Sequence, residues 1–305
     1  MKVAKAYSPG HITGFFQICD SPKSPLFKGS KGAGVSLNRG VLTEIYIKEQ
    51  EKMTIQISIN GTCSDSAIVS EHVIYLFFKK TAIDRKYLLK INHIIDIPIG
   101  SGFGSSGAGA LSLVIALNSI FNTGLTKIEV AQIAHQAEVE KKTGLGTVIG
   151  ELFGGIEVRI KSGAPGIGKI MQIPCLKPYK VISLIFGPLS TKSFLENEKT
   201  RKKVNHFGRI LIEKIIKAPT IENFMKYSNQ FALETGLVNN TIKSILSECR
   251  KRKIVASMPI FGDGVFAIVS LDKADEVQQL FSNFGRTDNL LVSDIDFQGA
   301  KIIDD

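Results

Sequence analysis

The chain has 305 residues, 44% hydrophobic and 22% charged, which is the balance of a soluble globular protein with an ample core in two domains or one large one. Its formal net charge of +10 favours acidic ligands such as nucleotides, small carboxylates or nucleic acid. The basic residues do not gather with aromatics into a nucleic-acid module, and Ser112, Asn118 and Ser119 interrupt the longest apolar run before it reaches a membrane span. Cys19, Cys63, Cys175 and Cys249 form no CxxC pair, so they read as reduced thiols, and Met1-Lys2-Val3-Ala4-Lys5 lacks a signal peptide's apolar core; both point to the cytoplasm.

In chain order, residues 3–14 read as a strand entering a tight turn at Ser8-Pro9-Gly10-His11-Ile12-Thr13-Gly14, because Pro-Gly and a second glycine are turn chemistry. His11 there is either a contact to a phosphate or substrate oxygen or a structural hydrogen-bonder. Gly29-Ser30-Lys31-Gly32-Ala33-Gly34-Val35 is a glycine loop opening onto an alternating strand over 35–48. With Arg39 nearby, Ser30 and Lys31 could hold a small carboxylate, or the piece is a hairpin loop. Residues 52–60 read as a half-buried strand and 67–80 as a helix.

A strand-like run over 87–97 then enters Pro98-Ile99-Gly100-Ser101-Gly102-Phe103-Gly104-Ser105-Ser106-Gly107-Ala108, and an apolar helix over 105–121 leaves it. Glycines and serines at a helix start free backbone N–H groups in front of the positive end of the helix dipole, which makes an anion site suited to phosphate. No lysine is present, so this is not a Walker loop. Residues 102–107 fit GxGxxG, but no acidic residue follows from 108 to 128, so a dinucleotide site is excluded too. A ligand-free strand-to-helix turn is the plain alternative; against it, Ser105 and Ser106 can cap the helix and also reach phosphate oxygens and Mg²⁺.

Residues 127–142 have helical apolar spacing, with His135 and Glu138 three apart on one face. Glu138 borders the apolar stripe, where a carboxylate either looks into a cleft and holds Mg²⁺ or is simply solvated. Thr143-Gly144-Leu145-Gly146-Thr147 and Gly154-Gly155 precede an alternating strand over 156–160. Arg159 on it either anchors a carboxylate or pairs with Glu157 at the surface. Glycines and prolines over 161–169 mark a domain boundary, giving an N-terminal domain 1–165 and an α+β C-terminal domain 166–305. The latter reads as strands near 181–186, 254–258, 264–270 and 289–293, three or four helical segments over 196–251 and a helix at 273–283. Arg250-Lys251-Arg252-Lys253 ends one of those helices, where cations suit the dipole.

The phosphate loop resembles that of the GHMP kinases, the superfamily of galactokinase, homoserine kinase and mevalonate kinase. More narrowly, the chain resembles the archaeal pantoate kinases. That likeness rests on Pro9-Gly10-His11-Ile12-Thr13-Gly14-Phe15-Phe16, Gly29-Ser30-Lys31-Gly32-Ala33-Gly34, Ala134-His135-Gln136-Ala137-Glu138, Thr143-Gly144-Leu145-Gly146 and Gly187-Pro188-Leu189-Ser190-Thr191-Lys192, all in the family's order. The resemblance implies a ribosomal protein S5 domain 2-like N-terminal domain, a ferredoxin-like C-terminal domain, and a homodimer. It implies ATP and Mg²⁺ as cofactors and phosphorylation of pantoate's terminal hydroxyl toward coenzyme A. Carried over, Pro98, Gly100, Gly102, Gly104, Ser105, Ser106, Gly107 and Ala108 would bind ATP, Ser106 and Glu138 would hold Mg²⁺, and Ser30, Lys31, His135, Arg159 and Thr191 would bind pantoate. Cations would share the neutralisation of phosphate charge.

Two positions depart from the family. Lys31 stands where arginine is usual, which keeps the charge and loses a bidentate grip. Thr147 stands where relatives carry an aspartate after Gly-Leu-Gly, and threonine can neither take a proton nor offer a charge at neutral pH. Homoserine kinase is a family member thought to work without such a base, and Asp263, in Gly262-Asp263-Gly264, is a candidate to substitute.

Overall fold

Two long strands carry the architecture of the computed structural model, which describes residues 2–64, 67–84, 86–189 and 198–303. Strand β1 (Lys2–Cys19) and strand β2 (Gly29–Glu49) pair antiparallel along almost their whole length. The Pro-Gly turn expected at residues 9–10 is therefore a strand. The pairing shifts register between Pro9 and Gly10, so Asn38 and Arg39 bulge out of β2, and a bulge is where a strand tolerates proline and gains bend. The glycine loop expected at 29–35 is likewise strand, the first third of β2. Its glycines let neighbouring chains approach closely; they do not break the ladder.

The bulge splits the ribbon into two halves. Residues 41–49 of β2 pair with β5 (Tyr87–Ile95), which pairs parallel with β3 (Thr54–Ile59), which pairs with β4 (Thr62–Cys63). One face of this half packs on α1 (Ile68–Thr81), α2 (Ser105–Phe121) and α3 (Lys127–Lys141). Helix α2 is apolar on nearly every side and is buried accordingly. A Thr126–Glu129 capping box starts α3, and left-handed Asn122 and Lys142 end α2 and α3.

Residues 32–35 of β2 pair instead with β6 (Ile156–Lys161), which follows a short helix α4 (Thr147–Phe153) and pairs with β7 (Lys169–Gln172). A second antiparallel sheet has the order β10 (Leu290–Asp294), β8 (Tyr179–Pro188), β9 (Gly262–Ser270). Where a strand is expected over 254–258, only Ser257 bridges Phe266 on the open edge of β9. Helices α5 (Glu198–Lys217) and α6 (Ile221–Thr235) bury Phe224 and Phe231 against Phe15 and Phe16 of β1. Helices α7 (Asn240–Lys251) and α8 (Leu271–Ser282) cover the second sheet. The first sheet draws strands from both sides of residue 165, since β7 and the final strand β11 (Lys301–Ile303) belong to it. Among the described residues no helix is long and apolar enough to cross a membrane.

Candidate active site

The bend in the ribbon brings four segments to one pocket: residues 11–16 of β1, the loop 100–107, the turn 143–147, and Ile260-Phe261 before β9. Two backbone bonds fix this meeting. His11 N–H donates to Phe103 O at 2.9 Å, and Ile260 N–H donates to Thr13 O at 3.1 Å. In the loop, Gly100, Gly102 and Gly104 all have φ near +70 to +80°, and Gly104 is the residue before α2. An L side chain resists that conformation, so the spacing of these three glycines has a backbone cause. The first N–H groups of α2 face the pocket with no acidic residue in the first turn.

At this helix start Ser106 donates to Glu138 Oε1 at 2.5 Å, and Thr143 donates to the same oxygen at 2.6 Å. Glu138 is only 3% exposed, and burial raises its carboxyl pKa above the usual range while the two hydroxyls offset part of the rise. No cation faces it among the described lining residues, which apart from His11 carry no base. A buried carboxylate beside a hydroxyl and a free helix N-terminus fits Mg²⁺, which takes one or two protein oxygens and completes its shell with phosphate and water.

A second ionic group lies directly behind. His11 Nε2 meets Glu157 Oε1 at 2.8 Å, and Arg159 Nη1 donates to the same oxygen. Arg159 is 2% exposed and Glu157 fully buried, so the surface-pair reading of these two residues is wrong: β6 is covered on both faces. Burial alone would raise the Glu157 carboxyl, but His11 and Arg159 outweigh it and hold its pKa low. Among the described residues Arg159 Nε has no hydrogen-bond partner. It lies 3.3 Å from the point a Cβ on Gly146 would occupy, and Ser30 Oγ crowds the same point.

The other expected residues fall as follows. Gly100, Gly102, Gly104, Ser105, Ser106, Gly107, Ser30 and Thr147 line the pocket. Pro98 lies in a neighbouring cleft with Gly187, and Ala108 is buried in the first turn of α2. His135 is buried and bonds Lys28 O at 3.0 Å, so it ties α3 to the segment before β2 and does not reach the pocket; burial lowers its pKa. Lys31 sits opposite Gln17 in the ribbon, outside the pocket wall. Thr191 is outside the described residues. Asp263 cannot stand in for the absent aspartate: it accepts from Asn239 at 2.9 Å and is not among the lining residues.

Sequence reasoning passed over Thr13, Thr143 and Glu151. Thr143 had a signal, a hydroxyl five residues after Glu138 just past a helix end. Glu151 had none, because its place depends on α4 packing under the phosphate loop. It is fully buried, and neither carboxyl oxygen has a partner of good geometry among the described residues. Its Oε2 and Thr147 Oγ1 both lie 2.7 Å from where a Cβ on Gly107 would stand. Burial first, then the charge of Glu138, holds its carboxyl far above the ordinary pKa.

On the other side of the same loop runs an apolar groove. Ile59, Ile68, Ile95 and Ile99 line it, with Ser70 and His93 in its lining, and it shares Ser105, Ser106 and Thr143 with the pocket. Groove and pocket are thus one trough with the helix N-terminus in the middle.

A serine-bearing, lysine-free phosphate loop at a helix start, facing a buried glutamate in a cleft between two sheets, defines a GHMP-type small-molecule kinase. The family model for the GHMP kinases N terminal domain matches residues 68–155. The chain is 37% identical to the pantoate kinase of Thermococcus kodakarensis over 92% of both chains. It is 34% identical to that of Methanocaldococcus jannaschii over 91% of this chain and 97% of the other. A solved structure described as a phosphotransferase related to the CoA biosynthesis pathway superposes with a TM-score of 0.89 at 33% identity, covering 99% of this chain and 98% of that one. The chain belongs to the pantoate kinase family of the GHMP kinases.

Proposed function

We propose that this protein transfers the γ-phosphate of ATP to the terminal hydroxyl of pantoate, giving 4-phosphopantoate and ADP on the route to coenzyme A, in the cytoplasm. The observation that carries the reading is the Ser106–Glu138 bond at the N-terminus of α2, which joins a phosphate cradle and a magnesium-type carboxylate in one pocket. The main-chain N–H groups of residues 105–107 hold the phosphate chain. Ser106 and Glu138 would hold Mg²⁺, which supplies neutralisation of the charge spread over the transferring phosphoryl oxygens. The apolar groove receives the base. Opposite, Ser30 and Thr13 face the pocket, and the unpartnered Arg159 Nε behind Gly146 is the cation a pantoate carboxylate would meet. Thr191 is assigned to the same substrate. Lys31 and His135 act at one remove, by holding the start of β2.

Thr147 at the wall accepts no proton at neutral pH, so the hydroxyl of the substrate loses its proton late, to phosphate or solvent. Rate then comes from positioning and charge neutralisation. A coupled ADP-release assay with pantoate, pantothenate, homoserine, shikimate and mevalonate tests this. Turnover confined to pantoate is expected; turnover of another acid with none on pantoate would reject the assignment.

A further inference from the structure

The turn before β9 carries a strained residue at the pocket wall. Residues 259–262 form a tight turn closed by Gly262 N–H to Pro259 O at 3.1 Å. Phe261 is its third residue and has a φ of +66°. Turns with positive φ at that position take glycine or asparagine, and a bulky side chain persists there only where its surroundings over-determine it. Here they do. Ile260 N–H is bonded to Thr13 O on one side. On the other, a Cβ on Gly262 would overlap Ser101 O, and a Cβ on Gly102 would stand 2.5 Å from Ile260 O. The turn is clamped between β1 and the phosphate loop. A glycine at 261 would meet the same clamp without strain, so the backbone has no need of the ring.

The ring borders the pocket. It meets Phe16 edge-on with centroids 5.6 Å apart, and Phe16 and Leu145 line the same pocket. Its place in the pocket says what it is for. Arg159 Nη2 donates to Thr13 Oγ1 at 3.4 Å, and the carbonyl of that same Thr13 holds Ile260. The guanidinium therefore lies at one end of the turn and the phosphate loop at the other. An acid with its carboxylate at Arg159 and its hydroxyl at the phosphates carries its middle carbons past Phe261.

In pantoate the carbon beside the hydroxymethyl group bears two methyl groups and no hydrogen. We propose that Phe261, backed by Phe16, determines acceptor specificity by packing on those two methyl groups, so that the protein takes acids with a fully branched middle carbon over the same acids without the branch. The inference rests on the pantoate reading and deepens it. Methyl groups leave water for two aromatic rings, whereas an unbranched acid leaves the rings facing a gap. A Phe261 that merely filled the seam between β1 and the phosphate loop would draw no distinction between the two acids.

The experiment compares pantoate with 2,4-dihydroxybutanoate, the same acid without its methyl groups. It uses coupled ADP release, and calorimetric binding in the presence of Mg²⁺ and a non-hydrolysable ATP analogue. The native protein should prefer pantoate by about a hundredfold or more in kcat/KM, since each added carbon in a fitted apolar site is worth about tenfold or more. Phe261→Gly, which also relieves the backbone, should lower kcat/KM for pantoate about tenfold to a hundredfold, mainly through KM, and change that for the unbranched acid by less than about threefold. Phe261→Leu restores aliphatic bulk and should retain most of the preference. No preference in the native protein, equal losses for both acids in Phe261→Gly, or a Phe261→Leu protein as indiscriminate as Phe261→Gly would each overturn the assignment. A binding preference for pantoate that depends on Phe261, with no turnover, sinks the kinase reading and supports the role of Phe261. Pantoate turnover with equal losses for both acids does the reverse.

Discussion

Two buried carboxylates, Glu138 and Glu157, stand close to the same pocket and have opposite electrostatic situations. Glu157 is closed on itself: His11 and Arg159 both reach Oε1, and the charge is matched inside the protein. Among the described residues Glu138 is met by the hydroxyls of Ser106 and Thr143, which bond to it and cancel no charge. Burial pushes both pKa values up; at Glu157 the facing His11 and Arg159 reverse the sign. A matched buried ion is scaffold. An unmatched one at a phosphate-binding helix start is a place for a cation that the protein does not itself supply. On the proposed function, the difference separates a carboxylate that holds the site in shape from one that takes part in its chemistry.

The comparison breaks most visibly if the unmatched carboxylate is dispensable. Replacing it together with its serine, Ser106→Ala and Glu138→Ala, should cut pantoate-dependent ADP release by on the order of 10⁴-fold with the fold retained by circular dichroism. Unchanged turnover would leave no basis for the kinase reading. The matched pair should respond in stability. Arg159→Met strands Glu157 with half its compensation and should cost about 3–5 kcal/mol in urea unfolding, because a buried charge loses its partner. The sign of its pH dependence follows from Glu157. Its folded pKa is depressed, so its contribution is present above the ordinary carboxylate pKa and is lost as pH falls through the depressed value. The native protein should therefore lose that stability on acidification below about pH 4, and Arg159→Met should lose less there.

How far the sequence could reveal these two roles depended on where the signal lay. Ser106, Glu138 and the phosphate loop were legible because each is a local pattern: glycines forced to positive φ, a helix start, a carboxylate at the edge of an apolar stripe. The Glu157–Arg159 pair was misread because alternation along a strand suggests one wet face, and the His11 ring that helps to dry it arrives from a strand far away in the sequence. Pro9-Gly10 suggested a turn because turn propensity is local, whereas the pairing of residues 2–19 with 29–47 that overrides it spans the sheet. Glu151 could not be read at all, since nothing near it in sequence names the loop it packs under.

Two smaller effects sharpen the contrast. A Cβ on Gly144 would overlap Glu138 Oε2, so Gly144→Ala keeps every catalytic group and displaces one oxygen. It should lower kcat/KM about tenfold to a hundredfold and raise the Mg²⁺ concentration needed for half-maximal rate. An unchanged magnesium requirement would mean that Oε2 is not a metal-side oxygen.

The finest test uses one substitution at both carboxylates. Glu138→Gln keeps an oxygen to accept from Ser106 and Thr143 and removes a buried charge that no cation among the described lining residues faces. The carboxyl at 138 has a raised folded pKa, so the folded state holds its proton longer than the unfolded state does, and stability falls as pH rises past the ordinary carboxylate value. Abolishing that titration should stabilise the nucleotide-free protein at pH 7 by about 0.5–2 kcal/mol while activity collapses, the exchange of stability for function seen at strained sites. Glu157→Gln should do the opposite, destabilising the fold, since Arg159 and His11 are then left facing a neutral amide. Paired urea titrations at pH 5 and pH 7 read both: the gain from Glu138→Gln should shrink as pH falls, because the raised pKa lets the folded carboxyl take up its proton before the unfolded one does. Shifts of the same sign in the two variants would mean that the carboxylates share one role, and the division into scaffold and cation site would fail.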